Sequence, residues 1–130
     1  MKKYILSLFV AACLPLTVWS QSETDETVYV EINETNFPDA NLRTVVETFD
    51  TDSDEKLSEE EIVAVTKLNV SNKSITDLKG VEFFTAITTL NCSYNSLTTL
   101  DISKNVALTS LSCNSNQIST LDISYNTALK

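Results

Sequence analysis

The sequence predicts an α/β repeat: a solenoid of short parallel strands, closed at its N-terminal end by a small helical cap. Residues 88–108, TTLNCSYNSLTTLDISKNVAL, recur at 109–129 as TSLSCNSNQISTLDISYNTAL, so the chain matches itself at a period of 21 residues. Within each unit the apolar positions are fixed. Leu90, Cys92, Leu97, Leu100, Ile102 and Leu108 return as Leu111, Cys113, Ile118, Leu121, Ile123 and Leu129. One coil cannot bury such a row, but stacked coils bring identical inward positions together as the chain advances by about one strand spacing, ~4.8 Å, per turn. Before Val65 the pattern changes to an acidic segment with helical spacing, which predicts the cap.

At the N-terminus, Lys2 and Lys3 precede the apolar run Tyr4–Trp19. Val18 and Ser20 occupy the −3 and −1 positions of a signal-peptidase cut before Gln21. Residues 1–20 therefore read as a signal peptide, and the product as secreted, extracellular or displayed on the surface of a bacterial cell. The run of 16 residues is short for a bilayer span, and the segment after it is acidic rather than a basic stop-transfer flank. No transmembrane segment is expected in the mature chain. Val10-Ala11-Ala12-Cys13 also resembles a lipobox, which would make Cys13 a lipid anchor. The apolar Leu14-Pro15-Leu16 stands where such a tether needs polar residues, which favours the plain signal.

Residues 21–28 read as an acidic linker and 29–64 as the cap. Residues 21–61 hold 14 acids against Arg43 and Lys56, a net of −12, whereas residues 62–130 carry a net of +1. That field disfavours nucleic acid and anionic membranes and favours cations. Tyr29-Val30-Glu31-Ile32 is expected as an extra strand. Asn36-Phe37-Pro38-Asp39 starts an entering helix over about 38–49, with Leu42, Val45, Val46 and Phe49 on one face. A leaving helix from about Glu59 to Val65 is expected to turn Ile62, Val63 and Val65 toward the first coil.

Between the two helices, DTDSDEKLSEEE (50–61) follows the twelve-residue EF-hand loop. Ca²⁺ takes many hard oxygen ligands. Asp50, Asp52 and Asp54 would give one each, Lys56 its backbone carbonyl, Ser58 a direct or water-mediated oxygen, and Glu61 two. Position 6 of such a loop normally holds Gly at positive φ, but here it is Glu55, at a cost of ~1–2 kcal/mol. A competing reading makes Ser58-x-x-Glu61 a capping box that starts the second helix without metal. Capping leaves the alternation of acids at 50, 52 and 54 unexplained, which favours Ca²⁺ as a weakly held cofactor, at ~10⁻⁴–10⁻³ M.

Residues 65–130 read as about three coils. The segments Ile87-x-x-Leu90-x-Cys92-x-x-Asn95-x-Leu97 and Leu108-x-x-Leu111-x-Cys113-x-x-Asn116-x-Ile118 resemble the leucine-rich repeat pattern. Val65-x-x-Leu68-x-Val70-x-x-Lys73-x-Ile75 keeps every apolar site but carries Lys73 in place of Asn, marking an atypical first coil. Residues 76–87 then look like the convex side of an internalin-type repeat, with Leu78, Val81, Phe84 and Ile87 facing inward. Together with NFPDANLR and the EF-hand-like loop, the array resembles a bacterial secreted leucine-rich repeat protein with its N-terminal cap, over residues 29–129.

Asn95 with Asn116, and Asn105 with Asn126, form two columns expected to bond the backbone at the bends. Cys92 and Cys113 stack at one inward position; parallel side chains favour buried thiols over a disulfide. The chain stops at Lys130 after an uncapped apolar row, which reads as truncation of a longer product, the alternative being edge-to-edge self-association. The outward strand residues Thr89, Asn91, Ser93, Ser110, Ser112 and Asn114 offer a polar face to a protein or glycan, although such residues also simply solvate strands. The chain has no His and no acid/base cluster outside the loop, so a non-catalytic recognition module is expected rather than an enzyme. A calcium-dependent structural or adhesion module is the alternative.

Overall fold

A computed structural model of the chain describes residues 28–130. The expected signal peptide, Cys13 and most of the acidic linker lie outside the described residues. Two small sheets organise the rest. β1 (Tyr29–Glu31) pairs antiparallel with β2 (Lys56–Ser58) in the cap. β3 (Lys67–Asn69), β4 (Thr89–Asn91) and β5 (Ser110–Ser112) form a parallel sheet in that order, with Leu68, Leu90 and Leu111 opposite one another. This is the stacked arrangement that the 21-residue period predicts, one strand per coil.

Each strand is three residues long because the chain turns sharply after it. Asn72, Tyr94 and Ser115, at the same place in successive coils, take left-handed φ of 54°, 58° and 56°. The bends leave backbone groups without strand partners, and the Asn columns satisfy them. Asn95 Nδ2 donates to the Val70 and Cys92 carbonyls, both at 2.9 Å, while its Oδ1 accepts the amides of Lys73 (3.1 Å) and Ile75 (3.0 Å). Asn116 repeats this one coil on, donating to Cys92 and Cys113 and accepting from Leu97. On the convex side, Asn105 donates to Val81 and Phe84, and Asn126 to Ile102 and Asn105, at 2.9–3.0 Å.

The inward row is buried as its period requires. Leu90, Cys92, Leu97, Ile102 and Leu108 are at most 1% exposed and Leu100 is 8% exposed. Each fully buried Leu or Ile of this row contributes about 1.5–3 kcal/mol. In the last coil Leu111, Cys113, Ile118, Leu121 and Leu129 are half-buried and Ile123 is exposed, since that coil has a described neighbour on one side only. Cys92 and Cys113 are free thiols.

The cap departs from the predicted pair of helices. The entering helix, α1, covers only Ala40–Val46, and a 3₁₀ turn, Glu47–Phe49, carries the chain into the loop. Asp39 stops the helix from beginning at Pro38, because its Oδ1 caps it by accepting the Asn41 (2.9 Å) and Leu42 (3.1 Å) amides. The leaving helix, α2, spans Glu59–Ala64. Of the three side chains expected to face the first coil, Val65 is buried and Ile62 half-buried, but Val63 is 48% exposed. Ile62 and Val63 are adjacent in the helix, about 100° apart around its axis, and so cannot both face the coil. The strand expected near Tyr29 forms, yet it pairs with β2 inside the cap rather than extending the solenoid sheet.

Cap and repeats share one core. Phe37 meets Phe83 edge-on at 5.6 Å and tilts against Phe84 at 6.3 Å, and Phe49 meets Phe84 edge-on at 5.7 Å. Polar clips flank these rings: Lys79 Nζ donates to the Thr35 carbonyl (3.0 Å), and Asp39 Oδ2 accepts the amide and hydroxyl of Thr76 at 2.8 and 3.2 Å. Gly80 sits between the two parts at φ 108°. The first coil is one residue longer than the next between Leu78 and Val81, where Lys79-Gly80 replaces the single Asp101 of the following coil.

A Cβ at Gly80 would collide with the Phe37 ring and lie 2.8 Å from the Asn36 carbonyl oxygen. Gly80→Ala should therefore lower unfolding free energy by about 2–4 kcal/mol, combining the left-handed cost with overpacking, measured by urea denaturation. Burial pushes the Asp39 carboxyl up, but hydrogen bonds from Thr76 and Leu42 outweigh it and hold its pKa below 3.8. A depressed pKa stabilises the fold above the unfolded value and loses that contribution as pH falls through the folded one. Stability should accordingly decline below about pH 4, and Asp39→Asn, which still caps α1, should flatten that decline in melting curves between pH 6 and 2.

Candidate functional site

Two surfaces carry the functional candidates: the acidic loop between the 3₁₀ turn and α2, and the outward face of β3–β5. In the loop, Asp50 Oδ1 accepts the Ser53 (2.7 Å) and Asp54 (3.3 Å) amides, and its Oδ2 accepts the Glu55 amide at 2.9 Å. Asp52 and Asp54 accept the amides two residues on, from Asp54 and Lys56. Together these bonds fold the loop inward, leaving one carboxylate oxygen from each of Asp50, Asp52 and Asp54 within 4.8 Å of the others. Glu55 takes the positive φ, 64°, that Gly normally provides, and Ser53 does so too, at 62°.

Two of the remaining expected ligands, Ser58 and Glu61, bond to each other, and Glu61 also bonds to Thr51. Glu61 Oε1 accepts the amide and hydroxyl of Thr51, both at 2.6 Å, and its Oε2 accepts the amide (2.9 Å) and hydroxyl (3.0 Å) of Ser58. The Ser58 hydroxyl in turn accepts the Glu61 amide at 3.3 Å, completing a capping box. Glu61 thus ties the two ends of the loop together, and the Thr51 and Ser58 bonds hold its pKa down to about 2. Asp52 shifts the other way, raised by desolvation and then by the neighbouring Asp54 charge. The Lys56 ammonium lies 4.4 Å from the centre of the Tyr29 ring. Three carboxylates that converge fit one side of a hard-cation site, while the Glu61 carboxylate, as placed, is outside that cluster.

On the strand face, successive strands stack residues of like position: Lys67, Thr89 and Ser110 in one column, Asn69, Asn91 and Ser112 in the next. Ser110, Ser112 and Asn114 are exposed, and Thr89 and Asn91 half-buried. Ser93 corrects the expectation. It is 2% exposed, its amide bonded to Asn91 Oδ1 (3.1 Å) and its hydroxyl donating to Asn114 Oδ1 (2.6 Å). Asn114, at the same position of the next coil, covers Ser93, whereas Asn114 itself has no described coil beyond it and is exposed. Tyr94, immediately after Ser93, is 61% exposed, a consequence of its left-handed φ.

The Asp101 and Asp122 carboxylates accept the Ser103 (3.0 Å) and Ser124 (2.8 Å) amides within their own turns. Both are lowered chiefly by those serines, as turn-bonded acids are. Burial, with the Cys113 sulfur next, pushes the Cys92 thiol up to about 12, leaving an inert packing group.

The parallel one-strand coils, their Asn columns and their helical lid define a leucine-rich repeat fold. Over 70 residues the chain is homologous to internalin J of Listeria monocytogenes, at 42% identity in both serotype 4b strain F2365 and serovar 1/2a strain EGD-e. That stretch is 53% of this chain, and the chain spans about 8% of the length of these relatives. No family model matches the chain. Among solved structures, the functional domain of internalin J superposes with a TM-score of 0.71 at 36% identity, covering 80% of this chain and 23% of that one. That structure is described as including a cysteine ladder; in this chain Cys92 and Cys113 occupy equivalent positions of adjacent coils. An internalin of strain F2365, InlF, gives 0.71 at 27% identity, covering 79% of this chain and 31% of its own. Internalin C2 of the same strain shares the fold at 20% identity, with a TM-score of 0.70.

Proposed function

We propose that this chain belongs to an exported, non-catalytic recognition protein that uses the outward face of β3–β5 to bind a protein or glycan. The observation that carries this reading is the in-register stacking of three strands, which repeats hydrogen-bonding side chains at one spacing across an open surface. The homology to internalin J supports it, as do the signal-peptide pattern of residues 1–20 and the turn-bonded state of the carboxylates in the repeats. Among the described residues no helix is long and apolar enough to cross a membrane.

Screening against a glycan array and a panel of displayed extracellular domains identifies the ligand. Ser110→Lys combined with Ser112→Lys, both exposed, should then weaken binding tenfold or more without changing the melting temperature, whereas Lys104→Glu on an exposed turn should leave it intact. Equal loss from both variants overturns the assignment of the face.

The cap also supports a structural role for Ca²⁺. Asp50, Asp52 and Asp54 would hold the ion, whose double charge offsets their mutual repulsion and links the cap's folding to metal. Calcium at about ten times a millimolar Kd should stabilise the folded chain by about 1.4 kcal/mol. Calorimetry should show a raised melting temperature that EDTA reverses and that Asp52→Asn with Asp54→Asn abolishes. An unchanged melting temperature leaves the cap metal-free, held by its capping box alone.

A further inference from the structure

The edge of the solenoid sheet nearest the cap is unpaired. Val70 and Asn72 donate their amides to Asn91 and Ser93, and Thr66 accepts from Thr88, so even-numbered residues of this coil face β4. Strand geometry then turns the amides and carbonyls of Lys67 and Asn69 the other way. Among the described residues no backbone group bonds them, β1 being paired with β2 instead. Both residues are exposed.

Beside this edge runs an open groove of about 520 Å³ between the 3₁₀ turn, α2 and the start of β3. Phe49, Ala64 and Val65 supply its apolar lining, and Glu60 and Glu61 its charge, against Lys67. The adjoining loop adds Asp50, Asp52 and Asp54, within a segment of net −12. Residues 21–27 of this chain, with Glu23, Asp25 and Glu26 and no base, match that field poorly.

We infer that this groove and edge form a second docking surface, separate from the outward strand face, which takes an extended segment of a partner protein with Lys or Arg at alternate positions. Such a segment adds to β3 as a further strand. Its backbone meets the free amides and carbonyls of Lys67 and Asn69, its apolar side chains enter the groove, and its cationic ones meet the acidic rim. Backbone pairing provides the affinity and the charge selects the partner.

The test uses the full chain and a hexapeptide alternating Lys and Val. Fluorescence anisotropy should show saturable binding that weakens at 0.5 M salt. Amide exchange at Lys67 and Asn69 should slow at least tenfold when the peptide is present. The same peptide with Pro in place of Val, which retains the charge but cannot donate to a ladder, should not bind. Glu60→Lys, at an exposed residue whose side chain makes no hydrogen bond in the structure, should weaken binding at least fivefold with the melting temperature unchanged. Equal binding of the Pro peptide overturns the proposal, as does unchanged exchange at Lys67 and Asn69. Protection of those amides in the free chain at every concentration means residues 21–27 already occupy the edge, and protection that grows with concentration means a second copy does; either result also overturns it.

Discussion

The structure depends on one constraint: every bend between coils exposes backbone groups that the sheet does not use, and something inside the coil must bond them. Asn95 and Asn116 do this on the strand side, each reaching both its own coil and the preceding one. Asn105 and Asn126 do it on the convex side. On the strand side a side chain with two donors and an acceptor suits the place, because the bend leaves both carbonyls and amides unmet; on the convex side only the donors are used, and Asn105 Oδ1 and Asn126 Oδ1 are buried without a partner. These bonds also lock the register of neighbouring coils, so the apolar row and the outward columns inherit their alignment from them.

The first coil meets the same requirement with different residues. Lys73 stands where the Asn is missing, and its amide is reached instead by Asn95 of the next coil. Phe84 occupies the position of Asn105 and joins the aromatic contacts that bind the cap. The coil thus exchanges its convex Asn for an aromatic ring against which Phe37 and Phe49 rest. Asp39 joins the same junction from the other side, capping α1 with one oxygen and holding Thr76 with the other. Cap and repeats consequently share one apolar core.

Much of this was legible in the residues, because a period of 21 with fixed apolar sites admits few arrangements of the chain. The strands, the buried row and both Asn columns follow from it directly. What escaped depends on local geometry that spacing does not encode. Ser93 reads as outward by alternation, but the Asn114 side chain of the next coil covers it. Val63 reads as inward by composition, but α2 is too short to bury every apolar side chain it carries. Glu61 fits two motifs at once, the capping box and position 12 of the loop, and spacing alone does not show the bonds that it makes to Thr51 and Ser58. The β1–β2 pairing had a weak signal in Tyr29–Ile32, whose partner strand lay hidden inside the acidic loop.

The single extra residue between Leu78 and Val81 marks where one building rhythm gives way to another. Beyond it, Val81, Phe84 and Ile87 are already in phase with the coils that follow, as the bonds from Asn105 and Asn126 show. Whole units after Ile87 are therefore interchangeable parts: duplication or deletion in multiples of one unit lengthens or shortens the array while the lid and its seat are inherited intact. Length becomes a freely varying trait, and the N-terminal junction the piece that descent has to keep together.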